Sequence, residues 1–203
     1  HATYWVPPAP GAVPTRTYCI GVGDGDSFEW RYEAEIVAIS LSKAALPCEA
    51  PQPWLDLAIM RITRRRDGAS VTYPLPQLQL GNSDADAMET AQPLWVLGYG
   101  QQGQSISQAR HTCQGGYAGR RAHDGTGSSW LMTTADVLGG HSGGPTVDRH
   151  GRVVGWCLLS LTDLCIMPAF QVKPEIREAA GGLHALRPIN EARPLLGAHG
   201  VAW

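Results

Sequence analysis

Glycine and proline punctuate this chain so closely that long regular helices are excluded: 24 glycines and 15 prolines fall among 203 residues, about one residue in five. Proline lacks an amide donor and fixes φ, and glycine loses the most conformational freedom on being ordered, so this spacing favours short strands joined by tight turns. Hydrophobic residues make up 43% of the chain and charged residues 17%, against roughly 25% charged in average domains. That suffices for one domain with two packed lobes, while the length is too small for several independent domains. A formal net charge of −2 provides no long-range field to gather nucleic acid or an anionic membrane. No stretch approaches 18 apolar residues, and the opening HATYWVPPAPG lacks the charged-then-apolar order of a secretory signal. The chain is therefore expected to be soluble, with organelle lumen, periplasm and extracellular space all left open. It begins at His1 rather than Met, so upstream sequence is expected, with room for further domains or a homo-oligomer outside these residues.

Local patterning predicts strands over 17–22 and 28–39, joined by the turn Gly23-Asp24-Gly25-Asp26, because Tyr32, Ala34, Ile36 and Ala38 alternate with other residues. Residues 6–14 and 47–53 are Pro-rich loops. The apolar run LDLAIMRI at 55–62 suggests a buried strand, and further strands fit 93–99, 129–134, 146–147 and 153–159, with a turn at Gly81-Asn82-Ser83-Asp84. Helical patterning is confined to 189–196 and a shorter stretch at 174–180. Arg64-Arg65-Arg66, followed by Asp67 and Gly68, is expected to be a solvated strand end or loop. Trp54, Trp95, Trp130 and Trp156 lie in strand-like runs and are assigned to core packing.

The five cysteines, Cys19, Cys48, Cys113, Cys157 and Cys165, are odd in number and contain no C-x-x-C pair. They are expected to be mainly buried thiols, with one or two unassigned disulfides left open. His111 with Cys113, and His141 with Cys157 and Cys165, lack the spacing of a metal motif, so neither a metal nor an organic cofactor is expected.

Chemistry concentrates in Gly139-Gly140-His141-Ser142-Gly143-Gly144-Pro145. A nucleophilic serine needs backbone N–H groups aimed at the developing oxyanion, and flanking glycines let the main chain turn so that those amides converge. SGGP alone also fits an ordinary turn. The strand-like Thr133-Thr134-Ala135 before it and the hairpin tip Asp148-Arg149-His150-Gly151 after it favour the catalytic reading.

This segment resembles the active-site serine motif, G-x-S-G-G-P, of the trypsin-like serine peptidases. LDLAIMRI, with Asp56, is similar to the strand D-[LI]-A-[LVI] that carries the family's triad aspartate. LGNSD and WVLGYG resemble stretches at the start of the family's second barrel, and HALRPINEARPLL resembles the last strand and closing helix of the Deg/HtrA branch. The resemblance spans most of residues 17–197. It implies an all-β fold of two perpendicular six-stranded antiparallel barrels, with a short C-terminal helix and the site in the cleft between the barrels. A single peptidase domain would then cover 1–203, with 1–75 the N-terminally incomplete first barrel and 76–203 the second barrel and helix.

The family's chain order is His, Asp, Ser, and His1 is the only histidine before Asp56. The implied roles are Ser142 as nucleophile on a protein or peptide substrate, His1 as general base, and Asp56 as the group that orients the imidazole, with Gly140 and Ser142 N–H groups forming the oxyanion hole. Each such donor is worth roughly 3 kcal/mol of barrier. Starting at the base tethers it on one side only, so a polypeptide beginning at His1 is expected to turn over slowly. His141 replaces the aspartate that in the digestive enzymes pairs with a released N-terminus, so activation of that type is not expected. Ala2 and Leu138 occupy positions of two family cysteines, and both departures point to the Deg/HtrA-like branch, although no PDZ module lies within these residues. Asp136, six residues before the serine, matches the position at the base of the substrate pocket in the trypsin branch; a carboxylate there would favour Arg or Lys, and the alternative is an Asp that bonds local amides in a turn. The competing functional reading is an inactive trypsin-like scaffold serving as an interaction or assembly module.

Overall fold

The computed structural model describes residues 17–40, 57–102, 105–106, 109–122, 129–159 and 183–201. Strands β1 (Tyr18–Val22) and β2 (Glu29–Ser40) pair antiparallel. The turn between them needs Gly23, at φ 116°, where an added Cβ would stand 2.3 Å from the Ser27 carbonyl oxygen. Strand β3 (Leu57–Arg65) adds to β2 to make a three-stranded sheet in the order β1-β2-β3.

β3 runs beyond the expected end at residue 62 and is not buried on both faces. Ala58 and Met60 are exposed while Leu57 and Ile59 are half-buried, because an antiparallel sheet packs one face and leaves the other to solvent. Arg64 pairs with Glu33 across the sheet at 2.6 Å, and Arg65 pairs with Asp67. The arginine run is thus a solvated strand end.

The second unit comprises β4 (Pro93–Gly98), β7 (His111–Ala122), β8 (Ser129–Thr133), β9 (Pro145–Val147), β10 (Val153–Leu159) and β11 (His184–Pro188), with a small ribbon of β5 (Gln101–Gln102) and β6 (Ser105–Ile106) after β4. The six longer strands close into an antiparallel barrel in the order β10-β11-β8-β7-β4-β9. Its interior holds Leu94, Val96, Leu131 and Leu186, all inaccessible to solvent, with Ala135, Val154 and Cys157. A second cluster of Val147, Val153, Trp156, Ile189 and Ala192 seats the closing helix. The helical stretch anticipated at 189–196 is split into a 3₁₀ turn at Ile189–Ala192 and α1 (Arg193–Ala198). Pro194 stands in the first turn of α1, where a missing amide costs nothing.

The fold is mostly β with a closed six-stranded barrel and one short C-terminal helix; among the described residues the first lobe is the three-stranded sheet. The stretch 174–180 lies outside the described residues, as do Trp54, Cys48 and Cys165. Trp130 and Trp156 are buried as expected, and Trp95 packs against the second cluster. Cys19, by contrast, is exposed, Cys113 is half-buried and Cys157 is buried; all three are thiols.

The sheet and the barrel meet at the β1–β2 turn. Tyr99 Oη donates to the Gly23 carbonyl at 3.2 Å, the Arg110 amide donates to Asp24 Oδ1 at 2.5 Å, and Phe28 packs edge-on against Tyr99. Leu57, at the start of β3, also packs on the second barrel cluster, as Leu97 does.

Candidate active site

The serine segment enters from β8 and is stitched to β7 first. Thr133 Oγ1 donates to the Gly116 carbonyl at 3.0 Å and accepts the Ala135 amide at 3.1 Å, while Thr134 Oγ1 accepts the Gly116 amide at 2.8 Å. Here Gly115 is required by close approach, since a Cβ on it would lie 2.0 Å from the Ala135 nitrogen. Beyond the crossing, Ala135 and Val137 point into the core, and Asp136 and Leu138 face solvent.

Two turns follow. The His141 amide donates to the Leu138 carbonyl at 3.2 Å, with Gly140 at φ 92° in the third position and Gly139 outside the left-handed region. This is the pattern of a type II turn, which glycine fits best at that place. The Gly144 amide then donates to the His141 carbonyl at 2.8 Å. Ser142 is exposed at the apex between these turns. The segment is fastened to β10 from behind, because the Gly143 amide donates to the Cys157 carbonyl at 2.6 Å and the Cys157 amide to the Gly144 carbonyl at 2.9 Å. Its front packs on β4, where the Leu97 carbonyl oxygen lies 2.1 Å from where a Gly144 Cβ would stand.

This pattern commits the amides unequally. Those of His141, Gly143 and Gly144 donate to main-chain carbonyls; among the described residues, those of Gly140 and Ser142 donate to none. A buried amide left unpaired is costly, but these two flank an exposed hydroxyl and are available to an oxygen arriving from outside.

Behind the apex lies His141, 0% exposed. Its Nδ1 sits 3.0 Å from the Leu138 carbonyl oxygen and 3.2 Å from the Leu138 nitrogen, and its Nε2 sits 3.5 Å from Cys113 Sγ. The His111 ring stands edge-on at 6.2 Å. Gly98 and Gly100 leave room for the imidazole, since a Cβ on either would come within 2.9 Å of a ring carbon. Burial pushes the Cys113 thiol above its ordinary pKa, and the nearby charge of Asp136 pushes it the same way. In the sequence His141 stands out as the replacement for an aspartate and as part of a metal grouping that lacks ligand spacing; its burial against residues from β4 and β7 has no signature in local spacing.

Of the residues singled out from sequence, Ser142 and Gly140 stand together at this apex, and Asp136 is on the segment leading to it. His1 and Asp56 lie outside the described residues; Asp56 directly precedes β3.

A closed antiparallel barrel presenting a glycine-flanked serine between β8 and β9 is the arrangement of a trypsin-like peptidase half. The model of the trypsin-like peptidase domain matches residues 8–155, and the chain belongs to that family. The match takes in Asp56 and Ser142 and begins after His1. No curated protein matches the chain. The family is one of peptidases, whose substrates are proteins. No helix among the described residues is long and apolar enough to cross a membrane.

Proposed function

We propose that this chain is a serine endopeptidase of the Deg/HtrA-like branch, hydrolysing peptide bonds through an acyl-enzyme within one peptidase domain over 1–203, divided near residue 75. Ser142 Oγ attacks the scissile carbonyl. His1 takes the serine proton and returns it to the leaving amine, and Asp56 holds the imidazole and stabilises its cation. Gly140 and Ser142 amides receive the tetrahedral oxyanion, and Asp136 contacts the substrate residue before the scissile bond.

One observation carries the reading: Ser142 is exposed, and the Gly140 and Ser142 amides donate to no main-chain carbonyl among the described residues, while those of His141, Gly143 and Gly144 do. Water satisfies such amides in a resting site, and a negatively charged oxygen satisfies them better. The role given to Asp56 draws support from its neighbour in sequence, because Leu57 packs on the cluster that Leu97 also packs against, and the Leu97 carbonyl oxygen lies against Gly144.

Hydrolysis of a fluorogenic peptide library, with and without Ser142→Ala, tests the proposal. The substitution should lower kcat/KM by at least about a thousandfold while leaving thermal unfolding unchanged, because the side chain is exposed. Absence of turnover by the unsubstituted protein, with Ser142 also unreactive towards a fluorophosphonate, would overturn the proposal and favour the assembly-module reading.

A further inference from the structure

We infer that His141 is a positioning residue that holds the oxyanion-binding turn in its productive orientation, taking over by a local clamp what an aspartate in this place would do by an ion pair. The inference rests on the serine-endopeptidase reading and deepens it.

The turn Leu138–His141 has two accessible forms. In a type II turn the Gly139–Gly140 peptide presents its N–H to one side, and rotating that peptide by half a turn gives the type I form with the N–H reversed. Glycine at both central positions makes the two forms close in energy, so the chain needs something to choose between them. The His141 ring is placed to do so. Its Nδ1 lies within hydrogen-bond reach of both backbone polar atoms of Leu138, the first residue of the turn. One tautomer grips the carbonyl and the other grips the amide, so each fixes position 138. Nε2 is occupied by Cys113 Sγ from β7, which fixes the ring rotation. Gly98, Gly100 and His111 line the imidazole, and neither glycine position has room for a side chain beside the ring. The titratable groups facing the ring are Cys113 and His111 of β7, and the charge of Asp136 reaches Cys113. His141 touches no reacting atom; it acts through Gly140.

Asparagine and glutamine separate the two ends of the ring, since the amide of Asn overlays Nδ1 and that of Gln overlays Nε2. His141→Gln keeps the Cys113 contact and loses the Leu138 clamp, whereas His141→Asn keeps the clamp. In the peptide assay, H141Q should lower kcat at least about tenfold with KM within about twofold, and H141N should stay within about threefold of the unsubstituted protein. Amide–amide Overhauser effects read the same turn without turnover: the cross-peak between the Gly139 and Gly140 N–H protons, weak in the type II form and strong in the type I form, should strengthen at least about threefold in H141Q and stay weak in H141N. An unchanged Gly139–Gly140 cross-peak and unchanged kcat in a folded H141Q would overturn the inference. Should H141Q not fold, H141N decides alone, and a loss of kcat beyond tenfold or a strong Gly139–Gly140 cross-peak in it would overturn the inference. Lack of turnover by the unsubstituted protein would count against the endopeptidase reading, with the cross-peak still deciding the clamp.

Discussion

The Gly143 amide and the Cys157 carbonyl are joined by a 2.6 Å hydrogen bond that fastens the serine segment to β10. Its neighbour Gly144 is confined by the Leu97 carbonyl on the opposite side, so the segment is clamped between two strands. Gly144→Ala should therefore destabilise the fold by about 3 kcal/mol or more, because backbone has to move to admit the methyl group. Gly143→Ala meets open space and suffers only from its φ of 82°, a cost of about 1–2 kcal/mol. Chemical denaturation of the two variants measures the difference, and equal losses would show that sterics against β4 do not set the Gly144 requirement.

Asp148 makes stability fall in acid. Burial alone would raise its pKa, but the amides of Arg152 and His150 and the Arg152 guanidinium, at 2.7–2.9 Å, outweigh that and hold the carboxyl below its ordinary value. A depressed folded pKa contributes stability above the unfolded value, about pH 4, and that contribution is lost as pH falls through the folded value. Asp148→Asn should lower stability at pH 7 and flatten the acid limb, so that the two proteins converge near about pH 2. Parallel stability curves across that range would refute the assignment.

Alkylation by iodoacetamide should separate the described cysteines by rate. Cys19 is exposed, whereas burial and the Asp136 charge keep the Cys113 thiol protonated and Cys157 is buried. Because the thiolate is the reactive form, peptide mapping of the native protein at pH 7.5 should find Cys19 modified at least about tenfold faster than Cys113 or Cys157. Asp136→Asn should raise the Cys113 rate modestly and leave Cys19 unaffected.

Asp136 is also the residue to vary for substrate choice. It faces solvent between buried Ala135 and Val137. If its carboxylate meets the substrate, Asp136→Ser should lower the ratio of Arg to Leu cleavage at least about tenfold in peptides differing only at that residue. An unchanged ratio would remove Asp136 from the specificity pocket.

What the sequence disclosed is what local chemistry encodes. The turn at Gly23 to Asp26, the strand at 153–159 and the serine apex each follow from residues adjacent in the chain, and HALRP was recognisable as a strand through family resemblance. β7 was hidden because Gly115, Gly116 and Gly119 interrupt any apolar alternation, and the reason for Gly115 is the Ala135 backbone crossing it, a contact between segments 20 residues apart. Likewise, nothing near position 141 announces a ring buried among β4 and β7. The exposure of Met60 on an apolar run reflects a sheet with one open face, which composition does not reveal.

The placement of β11 has a bearing on biosynthesis. This strand inserts between β10 and β8, pairing Leu186 with both Cys157 and Leu131, although β8 emerges from the ribosome about 50 residues earlier. Until residues 184–188 are made, both partner strands carry unpaired edges, and the strand that anchors the serine turn through Cys157 is supported on one side only. A nascent chain therefore carries its serine for a considerable stretch of translation before the β10 edge behind that turn is paired on both sides.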